Sequence, residues 1–209
     1  MPLLKFISLT VFIFTVAGCA TTNKSNQKVD ANVESMIIDI PDQAAVDFKL
    51  AIEHMNNKRL DLAELAFIKM NNDYPLLAGP YANLGVIYSQ NKQWDKAIKM
   101  LSKALTKNSK NIKIANQLGY VYRQKGDFKN AEQQYLNAIK LDPNDGAGYL
   151  NLGILYDIYM GKLVEASGFY QQYQAIQNQP DRRVAGWIVD INRRVGNINK
   201  KSQIASEAQ

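Results

Sequence analysis

A short pattern of residues recurs along this chain at a fixed spacing, and it constrains the fold more than any other feature. The pattern is Leu-Gly-x-x-Tyr, and it begins at Leu84, Leu118 and Leu152, which are evenly spaced. A weaker copy, Leu-Ala-x-x-His, begins one such interval earlier, at Leu50. Alanine and aromatic residues that follow each copy keep the same frame. Tandem copies in one constant frame indicate a repeat protein.

Within one copy, the spacing predicts two amphipathic helices that fold back on each other. Leu118 and Tyr122 fall on one stripe of a first helix, and Ala131 and Tyr135 fall on one stripe of a second. Gly126 lies between the two stripes and supplies the turn. Each copy is therefore expected to form a helix–turn–helix unit.

These residues resemble the tetratricopeptide repeat, whose period and helix–turn–helix signature they share over roughly residues 44–180. The resemblance implies an all-α fold, a right-handed α-solenoid of four repeats. The expected repeats are 44–77, 78–111, 112–145 and 146–180. In the fourth, the turn carries one extra residue between Tyr156 and Ala166, so the later positions shift by one.

A solenoid needs its last apolar face covered, and residues 181–195 fit that role as a capping helix. Asp181 is expected to be its N-cap, followed by apolar residues at helical spacing. Gly196 is expected to end the helix, which leaves residues 196–209 as a polar tail.

The segment 1–18 is expected to be a secretory signal. A weakly basic start precedes an apolar run that is short for a membrane span. The run ends in Val16-Ala17-Gly18-Cys19, which resembles the bacterial lipobox. The resemblance implies cleavage before Cys19 and lipid attachment to Cys19. The alternatives are an ordinary secretory signal or a membrane helix with a buried cysteine.

Residues 19–40 are expected to connect the lipid to the repeats. Ala20 follows the cysteine where lipoproteins held at the inner membrane often have aspartate, so the resemblance favours the outer membrane, facing the periplasm. The polar residues from Thr21 to about Lys28 predict a flexible tether. The apolar stretch from Met36 to Ile40 can pack against the first repeat.

The composition excludes several classes of function. One histidine and one cysteine rule out a metal cage built from several imidazoles or thiolates, and no cofactor is predicted. His54 takes the place of the repeat tyrosines, which predicts a core residue rather than a general base. The net charge of +6 is spread along the helices, so no nucleic-acid partner is predicted.

Tetratricopeptide proteins bind peptides in an inner groove lined by the first helix of each repeat, and the resemblance carries that role to positions of this chain. The predicted partner-binding residues are Phe48, Ile52, Val86, Lys113, Asn116, Tyr120, Arg123 and Ile154. Tyr120 and Arg123 lie one turn apart on the same face, where an aromatic ring and a guanidinium can form a binding hot spot. Asn83 and Lys113 match two positions of the carboxylate clamp of chaperone-binding relatives. Phe48, Ile52 and Gln117 replace the others, so the clamp is incomplete and is not predicted.

Two classes of function stay open at this point. The first is a lipid-anchored, non-enzymatic adaptor for another envelope protein or peptide, similar to secretin pilotins, adaptors of peptidoglycan hydrolases or TonB-linked repeat proteins. The second is an accessory or catalytic component of a cell-wall or polysaccharide enzyme. No nucleophile–base pair or phosphate-binding loop is recognisable in the sequence, which favours the adaptor.

Overall fold

The computed structural model describes residues 41–207. The predicted signal segment, Cys19 and the apolar stretch from Met36 to Ile40 therefore lie outside the described residues. No helix within 41–207 is both long enough and apolar enough to cross a membrane.

The described residues form nine α-helices and no strand, and most of them pair as antiparallel hairpins. The helices are α1 (Asp42–Asn56), α2 (Leu60–Asp73), α3 (Ala78–Gln90), α4 (Trp94–Lys107), α5 (Ile112–Lys125), α6 (Phe128–Leu141), α7 (Gly146–Ile154), α8 (Leu163–Ile176) and α9 (Arg182–Glu207). The hairpins α1–α2, α3–α4, α5–α6 and α7–α8 stack in order, and α9 packs on α8. This arrangement confirms the predicted all-α solenoid.

A glycine in the first helix of each later repeat allows close contact with the second helix. A Cβ atom on Gly85 would lie 2.5 Å from Leu101 Cγ, and one on Gly119 would lie 2.5 Å from Tyr135 Cε1. Gly153 faces the ring of Tyr170 in the same way. The repeat spacing places the residue equivalent to Tyr135 one position before Tyr170. The contact between Gly153 and Tyr170 therefore confirms the predicted one-residue shift in the fourth repeat.

The extra residue itself lies inside a helix rather than in the turn where it was predicted. The backbone N–H groups of Gln93 and Asp127 donate to the carbonyls of Tyr88 and Tyr122, five residues earlier, at 2.8 and 2.9 Å. In the fourth repeat the matching bond runs from Lys162 to Tyr156, six residues earlier, at 2.9 Å. The chain takes up the insertion by widening the last turn after α7 into a π-helix, Leu155–Met160.

The repeat tyrosines join neighbouring repeats. The hydroxyl of Tyr88 donates to Glu64 Oε1 of the previous repeat at 3.0 Å, and that of Tyr156 donates to Glu132 in the same way. Burial raises the pKa of both phenols and the carboxylates add to this, so both hydroxyls stay protonated as donors. His54 is half-buried, with Nδ1 buried and without a hydrogen-bond partner among the described residues.

The capping helix is longer than predicted. Asp181 is the N-cap, as expected, because its Oδ1 accepts from the Arg183 N–H at 2.9 Å. Val184 and Ile191 are buried against the last repeat. The predicted end at Gly196 is wrong, since α9 continues to Glu207. Gly196 keeps a negative φ, and no proline follows it, so nothing in the local sequence stops the helix.

Large apolar side chains remain exposed on the first repeat. Val46 and Leu50 on α1, and Leu62 and Leu65 on α2, are all exposed. The prediction that the Met36–Ile40 stretch packs against this repeat concerns residues outside the described part of the chain, and it stays a prediction.

We expect the glycine contact in the third repeat to limit stability. Gly119→Ala forces the Tyr135 ring to move out of a fully buried position, which costs about 1–3 kcal/mol of unfolding free energy, and Gly119→Leu costs more. Urea denaturation followed by circular dichroism measures the loss. The matched control is Gly186→Ala in α9, where an added Cβ meets nothing within 4 Å and removing glycine stabilises the helix by up to about 1 kcal/mol. Equal effects of the two substitutions would contradict the packing argument.

A second stability prediction concerns the turns of the first two repeats. Lys58 and Lys92 have φ values of 59° and 56°, at the turn position where Gly126 has 88°. A left-handed backbone is unfavourable for any residue with a Cβ, so Lys92→Gly should stabilise the protein by about 1 kcal/mol or less. Lys99→Gly, in the exposed interior of α4, is the control and should cost about 1 kcal/mol. Urea midpoints that shift in the same direction for both variants would rule out the explanation.

Candidate functional site

The predicted partner-binding residues differ widely in exposure. Lys113 is exposed, whereas Ile52, Asn116, Tyr120 and Ile154 are half-buried. The other three, Phe48, Val86 and Arg123, are buried. The predicted groove therefore does not present all eight side chains to solvent, although their assignment as partner-binding residues stays a prediction.

The groove is filled by packing at the first two repeats. Phe48 stacks edge-on against Phe67 with ring centroids 5.7 Å apart, and a Cβ on Gly79 would lie 2.9 Å from the Phe48 ring. Val86 belongs to the same apolar cluster. Phe48 thus joins α1, α2 and α3, which explains why this side chain is buried.

Asn83 is one of the two positions that match the carboxylate clamp, and its amide is already engaged. The side chain is fully buried, and Nδ2 donates to the Gly79 carbonyl at 2.9 Å within the same helix. Lys113, the other matching position, lies exposed on α5. The described residues therefore give the clamp no support beyond what the sequence suggested.

Arg123 is the least expected residue of the predicted site. It lies near the end of α5 and is only 6% exposed, although an arginine remains charged at any pH a protein tolerates. Its guanidinium carbon lies 5.5, 6.0 and 5.6 Å from the ring centroids of Tyr120, Tyr135 and Tyr159. We call these four side chains the arginine cluster. Rings at such distances stabilise a cation through their electron-rich faces.

The arginine cluster contains no acidic partner. Within residues 41–207, no carboxylate forms an ion pair with the Arg123 guanidinium, and Nε and Nη1 are buried without a hydrogen-bond partner. Asp157 occupies the equivalent position one repeat later, but it accepts from Arg194 of α9 at 2.8 Å. Asp157 of the next repeat is therefore already paired with the capping helix.

The Tyr135 hydroxyl is a further unused donor in this cluster. Tyr135 is fully buried, and no group among the described residues pairs with its hydroxyl. Burial raises the pKa of Tyr135, and the nearby positive charge of Arg123 opposes this only in part. The phenol therefore stays protonated, and it can donate to an oxygen placed beside the guanidinium.

The π-helical turn supplies the outer wall of the arginine cluster. Tyr159 lies on this turn, 39% exposed, with its ring centroid 5.4 Å from that of Phe128. Ile158 beside it is 67% exposed. Tyr159 was not among the predicted site residues, and the one-residue insertion is the only signal in the sequence that points to it.

No described residues form a recognisable metal centre. Histidine, cysteine, aspartate and glutamate nowhere gather in groups of three within the described chain that could hold a metal ion. The features that stand out are a buried cation without a counter-ion and an exposed apolar edge beside it.

Comparison with protein-family models identifies tetratricopeptide repeats in two stretches. Residues 79–111 match the model described as "Tetratricopeptide repeat", and residues 119–157 match the model described as "TPR repeat". These matches cover the second repeat and the stretch from the middle of α5 into the π-helical turn, in agreement with the hairpins of the structure. Residues 79–111 and 119–157 are thus identified as tetratricopeptide repeats within the all-α solenoid.

Solved structures with this fold include two bacterial proteins. A crystal structure of MamA superimposes with a TM-score of 0.67 at 19% identity, covering 79% of this chain and 89% of MamA. PilF of Pseudomonas aeruginosa gives a TM-score of 0.66 at 21% identity, covering 78% of this chain and 73% of PilF. At such low identities the similarity shows the fold alone.

Among curated proteins, the human protein O-mannosyl-transferase TMTC1 is 31% identical over 108 residues. The match covers 50% of this chain but only 12% of TMTC1. The chain thus spans a small fraction of that relative, and the transferase activity in the name belongs to the whole of TMTC1.

Proposed function

We propose that this protein is a lipid-anchored adaptor of the bacterial envelope that holds another envelope protein through the concave side of its repeats. The tetratricopeptide fold supports the general part of this proposal, a scaffold for protein–protein interaction. The finer part rests on the lipobox resemblance at Cys19 and on the surface beside the arginine cluster.

The observation that carries the binding site is an exposed apolar edge on the third and fourth repeats. Ile158 and Tyr159 are exposed on the π-helical turn, and half-buried Ile154 lies about one turn before them. The half-buried ring of Tyr120 shares the Arg123 guanidinium with Tyr159. Contiguous exposed apolar side chains often mark interaction surfaces. Aromatic anchors in such a patch supply much of the binding energy. We name these four residues the groove edge.

The anchor would hold the adaptor at the membrane surface. Each buried methylene of an acyl chain contributes about 0.8 kcal/mol, so several chains on one cysteine give lasting attachment. Residues 20–40 would then separate the repeats from the lipid. With Ala20 after the cysteine, the proposed location is the outer membrane, with the repeats in the periplasm.

The proposal covers three kinds of envelope machinery: secretin piloting, TonB-linked transport and regulation of peptidoglycan enzymes. Co-purification from detergent-solubilised envelopes, with mass spectrometry of the captured proteins, decides among them. The match to TMTC1 does not favour an enzymatic role, because it covers so little of that protein.

The anchor is tested by substitution of the lipidated residue. Cys19→Ser should abolish labelling with radioactive palmitate and move the protein out of the outer-membrane fraction. Ala20→Asp is the matched control for sorting: it should keep the lipid and shift the protein to the inner membrane. A Cys19→Ser protein that still takes up palmitate would show that the lipobox interpretation is wrong.

The groove edge is tested by partner capture. Tyr120→Ala combined with Ile158→Glu should reduce recovery of the co-purified protein at least tenfold, because the loss of two anchors at one interface usually costs more than the free energy of a tenfold change in affinity. We choose Ile158 instead of Arg123 because truncating the buried arginine to alanine would leave a cavity in the fold. The thermal melt of this double variant should stay close to wild type.

Two controls separate the groove edge from other surfaces. Val164→Glu replaces an apolar residue of nearly equal exposure, 68%, on the second helix of the same repeat. Lys129→Ala removes an exposed charge from α6. Both variants should capture the partner as wild type does. Loss of capture with Val164→Glu, but not with the groove-edge variant, would place the binding site on the convex face.

A further inference from the structure

Two of the three nitrogens of the Arg123 guanidinium are buried without a matching anion. Its Nε and Nη1 atoms meet no acceptor among the described residues, and the side chain is 6% exposed. Buried charges in proteins are nearly always paired or hydrogen-bonded.

The surrounding aromatic rings compensate for only part of the burial of this guanidinium. Tyr120, Tyr135 and Tyr159 all lie within 6.0 Å of the guanidinium carbon, and they stabilise the positive charge. None of their oxygens accepts a hydrogen bond from Nε or Nη1. The rings therefore stabilise the positive charge, but Nε and Nη1 remain without hydrogen-bond acceptors among the described residues.

The unused donors are of a kind that suits one ligand chemistry. Each of these two nitrogens can donate a charge-assisted hydrogen bond to a carboxylate oxygen, and the carboxylate also neutralises the guanidinium charge. The Tyr135 hydroxyl, also buried and unpaired among the described residues, adds a third donor in the same cluster. We propose that the arginine cluster is a binding site for a single carboxylate of the partner protein, held by charge-assisted hydrogen bonds from Arg123. This proposal rests on the proposed adaptor function and names the chemistry its groove recognises.

The charge balance favours a carboxylate over a phosphate. Arg123 is the cation at the centre of the cluster, whose other members are tyrosines, and one carboxylate neutralises it fully. A phosphate group carries close to two negative charges and would leave one of them buried among tyrosine rings. Arg123 also lies outside the clamp positions of the fold, which here carry Phe48, Ile52 and Gln117, so the site is separate from that clamp.

The ligand would enter beside Tyr159. This ring is 39% exposed and lies on the π-helical turn, whereas the Tyr135 ring is fully buried. Tyr159 is thus the wall of the cluster that can move without opening the core. The groove edge lies at the same place, so a partner held there can direct an acidic side chain or its C-terminal carboxylate towards Arg123.

The test uses small carboxylates on the full-length chain in detergent, so it needs no partner protein. Sodium acetate represents an acidic side chain, N-acetylglycine represents a C-terminus, and sodium chloride and phosphate serve at the same ionic strength. The readout is the Arg123 Nε–H signal in the NMR spectrum, assigned by its loss in Arg123→Lys. We expect one or both carboxylates to shift this signal saturably, while chloride and phosphate leave it unmoved. The carboxylate with the lower dissociation constant identifies the source.

Two variants make the expectation sharper. Arg123→Met removes the unpaired charge and keeps much of the volume, so it should raise the thermal midpoint and abolish any stabilisation by acetate. Arg194→Met is the matched control, because that arginine is paired with Asp157 and its removal should lower the midpoint. Tyr159→Ala should tighten acetate binding severalfold by clearing the entry.

The outcomes separate this proposal from the proposed function. An Arg123 signal that ignores both carboxylates in wild type and in Tyr159→Ala overturns the carboxylate site, and it leaves the partner-capture test of the groove edge unaffected. A larger shift with phosphate than with acetate also overturns it. A lower midpoint for Arg123→Met would show that the guanidinium is satisfied as it stands, which contradicts the proposal as well.

Discussion

The whole solenoid depends on one contact, the approach of a glycine or alanine in the first helix of a repeat to a large side chain in the second. In the third repeat the Gly119 backbone lies so close to the Tyr135 ring that no Cβ fits between them. Leu101 fills the same place in the second repeat and Tyr170 in the fourth. Each hairpin is thereby held at a fixed separation, and each presents the same shape to the next. Stacking the hairpins then joins their apolar faces into a core that no single repeat could form.

Contacts between repeats are less uniform than contacts within them. Tyr88 and Tyr156 each donate to a glutamate of the preceding repeat, but for Tyr122 the matching position holds Ile98, which cannot accept a hydrogen bond. Tyr122 instead packs against both apolar clusters of the molecule. In repeat proteins stability is shared between units and their interfaces, so such differences decide where neighbouring repeats are bound most firmly.

The sequence predicts the fold well because its strongest signals are local and repeated. The constant repeat spacing, the turn at Gly126 and the N-cap at Asp181 each act within a few residues or recur in register. The end of α9 was missed because Gly196 permits a left-handed turn without requiring one, and the backbone there stays helical. The site was harder to predict, because burial in the groove depends on residues distant in the chain. Phe48 is buried because Phe67 and Gly79 close around it, and Arg123 because rings from two other elements do so.

One inserted residue links these observations. Without the insertion, α7 would reach its turn with the same spacing as the first helices of the earlier repeats. The last residues of α7 would then face the same way as their equivalents in those repeats. The insertion widens that turn into a π-helix, and π-helical turns of this kind are frequent at functional sites. Here the widened turn carries Tyr159 to the Arg123 guanidinium and leaves Ile158 exposed beside it. The same turn holds Asp157, which pairs with Arg194 and so leaves Arg123 without an acid from the next repeat. The departure from the repeat thus accounts for both features of the candidate site, the apolar edge and the unpaired cation.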